Sequence, residues 1–223
     1  MGRLHLGTIL GTTITLDFSF IILIVFFVLS DIQRVGARYA LLWAPVLLIS
    51  ILFHELAHAA MIGILGFGSS AIVLEGIGGV TMNQRRAKPW QDLIISAAGP
   101  ASSFLLAWAV GRASAMLPAA QRDPFLLAFL PFLARANVLW GIFNCFPVGP
   151  LDGSSVLRNF MRLFLRDRLA FVISVWVSML TGVGLAIYGF IAQWIFLSLL
   201  MLWYVYGSYS QWQFFRSHNR PDD

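Results

Sequence analysis

From Leu169 to Gly207 the chain runs for 39 residues without a single formal charge. As one helix that run would be about 58 Å long, close to twice a 30 Å hydrocarbon core. Two spans with a tight turn between Gly182 and Gln193 fit it better. Only 11% of the 223 residues are charged and 59% are hydrophobic, whereas a soluble domain carries about 25% charged residues. So few charges cannot coat a water-exposed surface. The expected fold is an all-α polytopic membrane protein with about six transmembrane helices and a small β-sheet or hairpin, in a single membrane-embedded domain over 1–223. Disorder, coiled coil and a disulfide scaffold are excluded, since Cys145 is the one cysteine.

Further spans are expected at about 14–30, 41–65, 93–111 and 124–146, each near the roughly 20 apolar residues a crossing needs. Leu4 to Thr15 is short, punctuated by glycine and rich in Thr and Ile, which reads as strand. Ala71–Leu74 and Gly79–Met82 read as short strands around Gly76 and Gly78. Asp152 is placed to open an amphipathic stretch that carries Arg158, Arg162, Arg166 and Arg168. There is no internal repeat.

The net charge of +5 comes from arginines on membrane-flanking segments rather than from a nucleic-acid surface. With six spans and the N-terminus inside, the inner segments hold Arg3, Arg85, Arg86, Lys88, the four arginines of 158–168, Arg216 and Arg220. The outer ones hold Arg34, Arg38, Arg112 and Arg122. Ten against four puts both termini in the cytoplasm, in a cell membrane. Arg135 lies inside the fourth span and is read as an interior partner for a carboxylate.

The second span contains His54-Glu55-Leu56-Ala57-His58. Residues four apart on a helix are about 40° apart around the axis, so both imidazoles can reach one metal ion. Glu55 falls on the neighbouring face, where it can bind a water without ligating the metal. Two histidines and a carboxylate in an apolar span are expensive and are retained mainly for function. Entering from outside at Leu41, the chain reaches His54 about 20 Å in, leaving about 10 Å to the cytoplasmic boundary. A catalytic zinc takes three protein ligands and leaves one position for water. Cys145, Glu75, Asp92 and Asp152 are the candidates for the third ligand. Asp152 stands out because Asn144-Cys-Phe-Pro-Val-Gly-Pro-Leu-Asp-Gly153 breaks the fourth span at the depth of the histidines.

HELAHA at 54–59, SAAGP at 96–100 and FNCFPVGPLDG at 143–153, in that order in successive spans, resemble the site-2 protease family of intramembrane zinc metalloproteases. The resemblance covers a core at about 41–153 and leaves the helices at about 169–207 outside it. It implies a Zn2+ held by His54, His58 and Asp152, Glu55 as general base, and Asn144 steadying substrate or oxyanion. It also implies cleavage of transmembrane segments of membrane-protein substrates within the lipid bilayer, in regulated intramembrane proteolysis. Where the family often has a second glycine after L-D-G and an asparagine after A-G-P, this chain has Ser154 and Ser102-Ser103. Gly78 and Gly79 are either a plain turn or part of an exposed strand edge that binds substrate by β-addition. Two other readings of the polar cluster are a proteolytically inactive homologue that binds membrane partners and an ion-relaying transporter.

Overall fold

The structure is a computed structural model that describes residues 2–9, 11–84, 86–116 and 124–218. Arg85, Arg122 and Arg220 of the charge tally lie outside the described residues. Met1–Arg86 with Ala98–Ile142 forms one compact unit, and Ala87–Ala97 with Phe143–Asp223 the other.

In the first unit, β1 (Arg3–Ile9) and β2 (Thr12–Asp17) form an antiparallel hairpin turning at Gly11, whose φ of 77° favours glycine. A register shift between His5 and Gly7 marks a bulge. In β2 the alternation Thr-Ile-Thr-Leu buries Thr12 and Ile14, as the two-residue strand period requires. The strand ends where Asp17 caps the next helix, α1 (Phe18–Val35): its Oδ1 accepts from the Ser19 amide at 2.9 Å and the Ser19 hydroxyl at 2.6 Å. These two bonds, the side-chain one foremost, hold the Asp17 carboxyl below its ordinary range. The first span therefore begins at Phe18, not near Ile14. The apolar run alone does not separate a strand from the helix it feeds.

After a short α2 (Ala37–Ala40), α3 (Trp43–Ile64) descends through the unit and carries the histidine motif. The chain then returns to the sheet as β3 (Ala71–Glu75) and β4 (Gly78–Met82). Strand order is β1-β2-β3-β4, and β2 and β3 run parallel, with Ile14 opposite Ile72 and Leu16 opposite Leu74. Their inner faces join Phe20, Leu23, Leu47, Ile51 and Ala59 in one core cluster. The expected strands are thus present, assembled into a single sheet.

α4 (Pro89–Met116) and α5 (Pro124–Cys145) match the expected third and fourth spans. Within the first unit, the fully buried Asn137 of α5 donates to Ser50 Oγ of α3 and to the Leu133 carbonyl, both at 2.9 Å. Arg135, expected inside the bundle, is exposed on α5.

The second unit holds α6 (Asp152–Met161), α7 (Asp167–Ile191) and α8 (Ile195–His218). Asp152 opens α6 as expected. The turn between α7 and α8 falls at Ala192–Trp194, with Gln193 at φ 59°. Gly182 lies inside α7 instead, where a Cβ would come 2.5 Å from Val205 Cγ2, so it serves close helix packing. Five described helical segments are long and apolar enough to cross a membrane: Phe18–Val35, Ala37–Ile64, Pro89–Met116, Phe125–Cys145 and Asp167–Ile191. α8 is a full-length helix, but its Ser, Tyr and Gln content keeps it out of that set. Many large side chains point outward, Leu180 at 70% and Ile191 at 75% exposure among them. This is an integral membrane protein, and lipid covers those faces.

Candidate active site

His54 and His58 stand one turn apart on α3, with ring centroids 5.0 Å apart. They and Glu55 are 2%, 7% and 5% exposed. Three polar groups this deeply withdrawn from water need partners.

The partners come from three elements of the same unit. From α4, Ser103 Oγ lies 3.0 Å from His54 Nδ1, and Ser103 is fully buried. A group bound at Nδ1 fixes the ring, as the outer partners of metal-ligating histidines do. Also from α4, Gly99 lies against the imidazole edges: a Cβ there would collide with Nε2 of both His54 and His58. From the edge strand β4, Thr81 Oγ1 donates to Glu55 Oε2 at 2.6 Å. A Cβ on Gly79 would lie 2.5 Å from Glu55 Cγ and 2.9 Å from its Oε1. Two glycines are therefore required by close approach, one under the histidines and one under the carboxylate. From α5, the Trp140 ring stands 6.4 Å from that of His54, and a Cβ on Gly78 would meet it at 3.3 Å.

This arrangement suits a zinc ion. Both Nε2 atoms converge over one bare stretch of α4 backbone, the space a side chain would otherwise fill. Imidazole nitrogen is a preferred zinc donor. Glu55 is turned aside by Thr81 and Gly79, which leaves its carboxylate for proton transfer rather than ligation.

In the second unit, Asn144 is buried on the last turn of α5. The chain then breaks from helix over 146–151, with Gly149–Pro150 in the cis form. The broken backbone is not left unsatisfied. The Gly149 amide donates to Ser178 Oγ at 2.9 Å, and Ser178 is 2.8 Å from Ser208 Oγ. Asp152 follows in the first turn of α6, partly buried. Gly153 is close under the end of α5, where a Cβ would strike the carbonyls of Cys145 and Phe146. Of the other ligand candidates, Cys145 is exposed, Glu75 ends β3 with its Oε1 4.0 Å from Arg3 Nη2, and Asp92 lies in the first turn of α4.

Sequence reasoning did not find Thr81, Ser103, Gly99 or Ser178 as supports. Gly99 is the glycine of the A-G-P segment and Ser103 follows three residues after its proline, so that motif was the available signal. Thr81 had none.

No family model matches the chain. It is 35% identical over 119 residues to Rip3 of Mycobacterium tuberculosis, named a zinc metalloprotease, covering 53% of this chain and 30% of that protein. It is 28% identical over 209 residues to zinc metalloprotease MJ0392 of Methanocaldococcus jannaschii, covering 92% of this chain and 59% of that one. The chain thus spans less than two thirds of either relative's length. Among solved structures, the site-2 protease from Methanocaldococcus jannaschii shares the fold, with a TM-score of 0.68, 24% identity and 94% of each chain covered.

Proposed function

We propose that the chain is a site-2 protease-like intramembrane zinc endopeptidase that hydrolyses a peptide bond in a transmembrane segment of a membrane-protein substrate; in support, its relatives are named zinc metalloproteases and it shares the fold of a site-2 protease. The observation that carries this reading is the buried histidine pair over Gly99 with Glu55 held beside it by Thr81. His54 and His58 would hold the zinc, and Asp152 is the carboxylate proposed as third ligand. In support, a two-histidine, one-carboxylate set is an established catalytic zinc site.

When bound, the zinc supplies Lewis acidity that brings water activation near neutral pH and polarises a carbonyl. Glu55 accepts the attacking water's proton and later delivers it to the leaving nitrogen. Asn144 steadies the substrate or the negative charge on its carbonyl oxygen. A transmembrane substrate has its carbonyls engaged in helical hydrogen bonds, so it must unwind before it can react. β4 is an edge strand that passes Glu55 at Gly79, so an unwound segment added beside Gly78 and Gly79 runs past the base. A polar route for water is proposed along the backbone break at 146–151, since irregular backbone at membrane depth is tolerated where it is buried in protein or lines a water-filled cavity.

The same reading places the enzyme in the cell membrane with both termini in the cytoplasm, acting in regulated intramembrane proteolysis. Glu55→Gln tests it. This variant should keep the fold and the zinc but lose nearly all turnover of a single-span substrate, because only the proton transfer is removed. Near wild-type cleavage by purified Glu55→Gln would leave any metal a structural role.

A further inference from the structure

The second unit carries an apolar groove of about 470 Å³ between the start of α7 and the end of α8, lined by Phe171, Ser210, Gln211, Phe214, Phe215 and His218. Its floor is an aromatic pair, with the Phe171 and Phe215 rings 4.6 Å apart. Each ring of that pair carries an arginine: the Arg158 guanidinium is 5.6 Å from the centre of Phe171, and that of Arg168 is 5.9 Å from the centre of Phe215. One apolar slot thus has two cations fixed on the rings that build it.

These cations belong to a strongly basic stretch, with four arginines against one aspartate over 158–168. Asp167 is taken by Arg162, at 3.0 Å, and Arg162 also reaches Asn159. Arg158, which also acts on Asp167 through its charge, and Arg168 lie over ring faces. Such stacking orients a guanidinium and leaves its N–H edge available for an anion. Trp176 and Trp212 stand 6.0 Å apart beside the cluster, and Trp212 stacks on Phe215 at 6.3 Å. Tryptophan and arginine at one end of a helix pair are the marks of the headgroup level of a bilayer.

We infer that this groove seats one anionic glycerophospholipid of the bilayer, its phosphate held by Arg158 and Arg168 and its acyl chain lying on Phe171, Phe214 and Phe215. An apolar slot with two fixed positive charges at headgroup depth is complementary to a molecule with one negative phosphodiester and an apolar tail. A zwitterionic lipid brings its own cation to the same two arginines and binds less well. The site uses no group of the proposed catalytic cluster.

The test uses the full chain, purified in detergent and incubated with mixed micelles of dioleoyl phosphatidylglycerol and dioleoyl phosphatidylcholine. Retained lipid is counted by native mass spectrometry. Wild type should retain one phosphatidylglycerol in preference to phosphatidylcholine. Arg158→Gln/Arg168→Gln should weaken that retention about 25-fold, a factor of about five for each arginine. Ser210→Trp, which fills the groove and leaves both arginines, should weaken it too. Arg34→Gln/Arg38→Gln removes the same charge elsewhere and should retain phosphatidylglycerol like wild type. Three outcomes each overturn the proposal: no preference for phosphatidylglycerol, undiminished retention in Ser210→Trp, or equal loss in Arg34→Gln/Arg38→Gln. Melting temperatures separate site loss from misfolding. If the Arg158/Arg168 variant does not fold, undiminished retention in Ser210→Trp still overturns the proposal.

Discussion

Thr81 donates a 2.6 Å hydrogen bond to Glu55 Oε2, joining an edge strand of the sheet to the carboxylate proposed as the general base. The strand proposed to receive substrate therefore also sets the direction in which the base points. Gly79, two residues earlier on the same strand, presses on the same carboxyl.

Removing that hydroxyl should slow the reaction without releasing metal. A hydrogen bond to a charged group is worth about 1.5–3 kcal/mol, so Thr81→Val is expected to lower kcat roughly 10- to 100-fold. Thr81→Ser keeps the donor and should recover most of the rate. Elemental analysis should find zinc unchanged in both. Zinc loss from Thr81→Val would mean that the strand supports the metal rather than the base.

Gly99→Ala reverses the ordinary helix rule. In a helix interior alanine is favoured over glycine by about 1 kcal/mol, yet here the added methyl group collides with both imidazole Nε2 atoms. The variant should keep its helical circular dichroism and lose most of its zinc. Full zinc occupancy with normal turnover would show that the histidines have room they do not display.

The choice of third ligand is decided by a pair of variants. Asp152→Ala should weaken zinc retention by more than the roughly 10- to 100-fold that loss of an outer partner brings, and Cys145→Ala should leave it unchanged. The reverse pattern would transfer the role to the thiol next to Asn144.

Topology is open to labelling in a Cys145→Ser background. Single cysteines introduced beside Gly2 and at Ser217, near the exposed end of α8, should react with an impermeant maleimide only once the membrane is opened. Reaction of the second in intact cells would leave the termini on opposite sides and the 169–207 run crossing once.

Much of the frame was legible in the sequence. The His54–His58 spacing, the strands around Gly76 and Gly78, the end of α5 before Pro147 and the start of α6 at Asp152 are all written in local patterns. Three features were not. The start of α1 was hidden because Ile14 and Leu16 are apolar in either structure, and only the Asp17 cap divides strand from helix. In α8, Ser198, Tyr204 and Ser208 are buried polar positions that belong to packing, which an uncharged run does not reveal. The supports of the site were the least legible, since Thr81 meets Glu55 across 26 residues and Ser103 meets His54 across 49. No periodicity encodes such encounters.

The parallel pairing of β2 with β3 has a consequence for biogenesis. β2 is synthesised before α1 and its partner after α3, so the hairpin must wait while two membrane helices are made. Until β4 emerges, the nascent chain already carries both histidines and the glutamate, but not Thr81, the strand residue that braces that glutamate. Closing the sheet supplies the brace. A site built in this order stays incomplete while its first helices insert, and it waits further for Asn144 and Asp152, the later residues proposed to serve it.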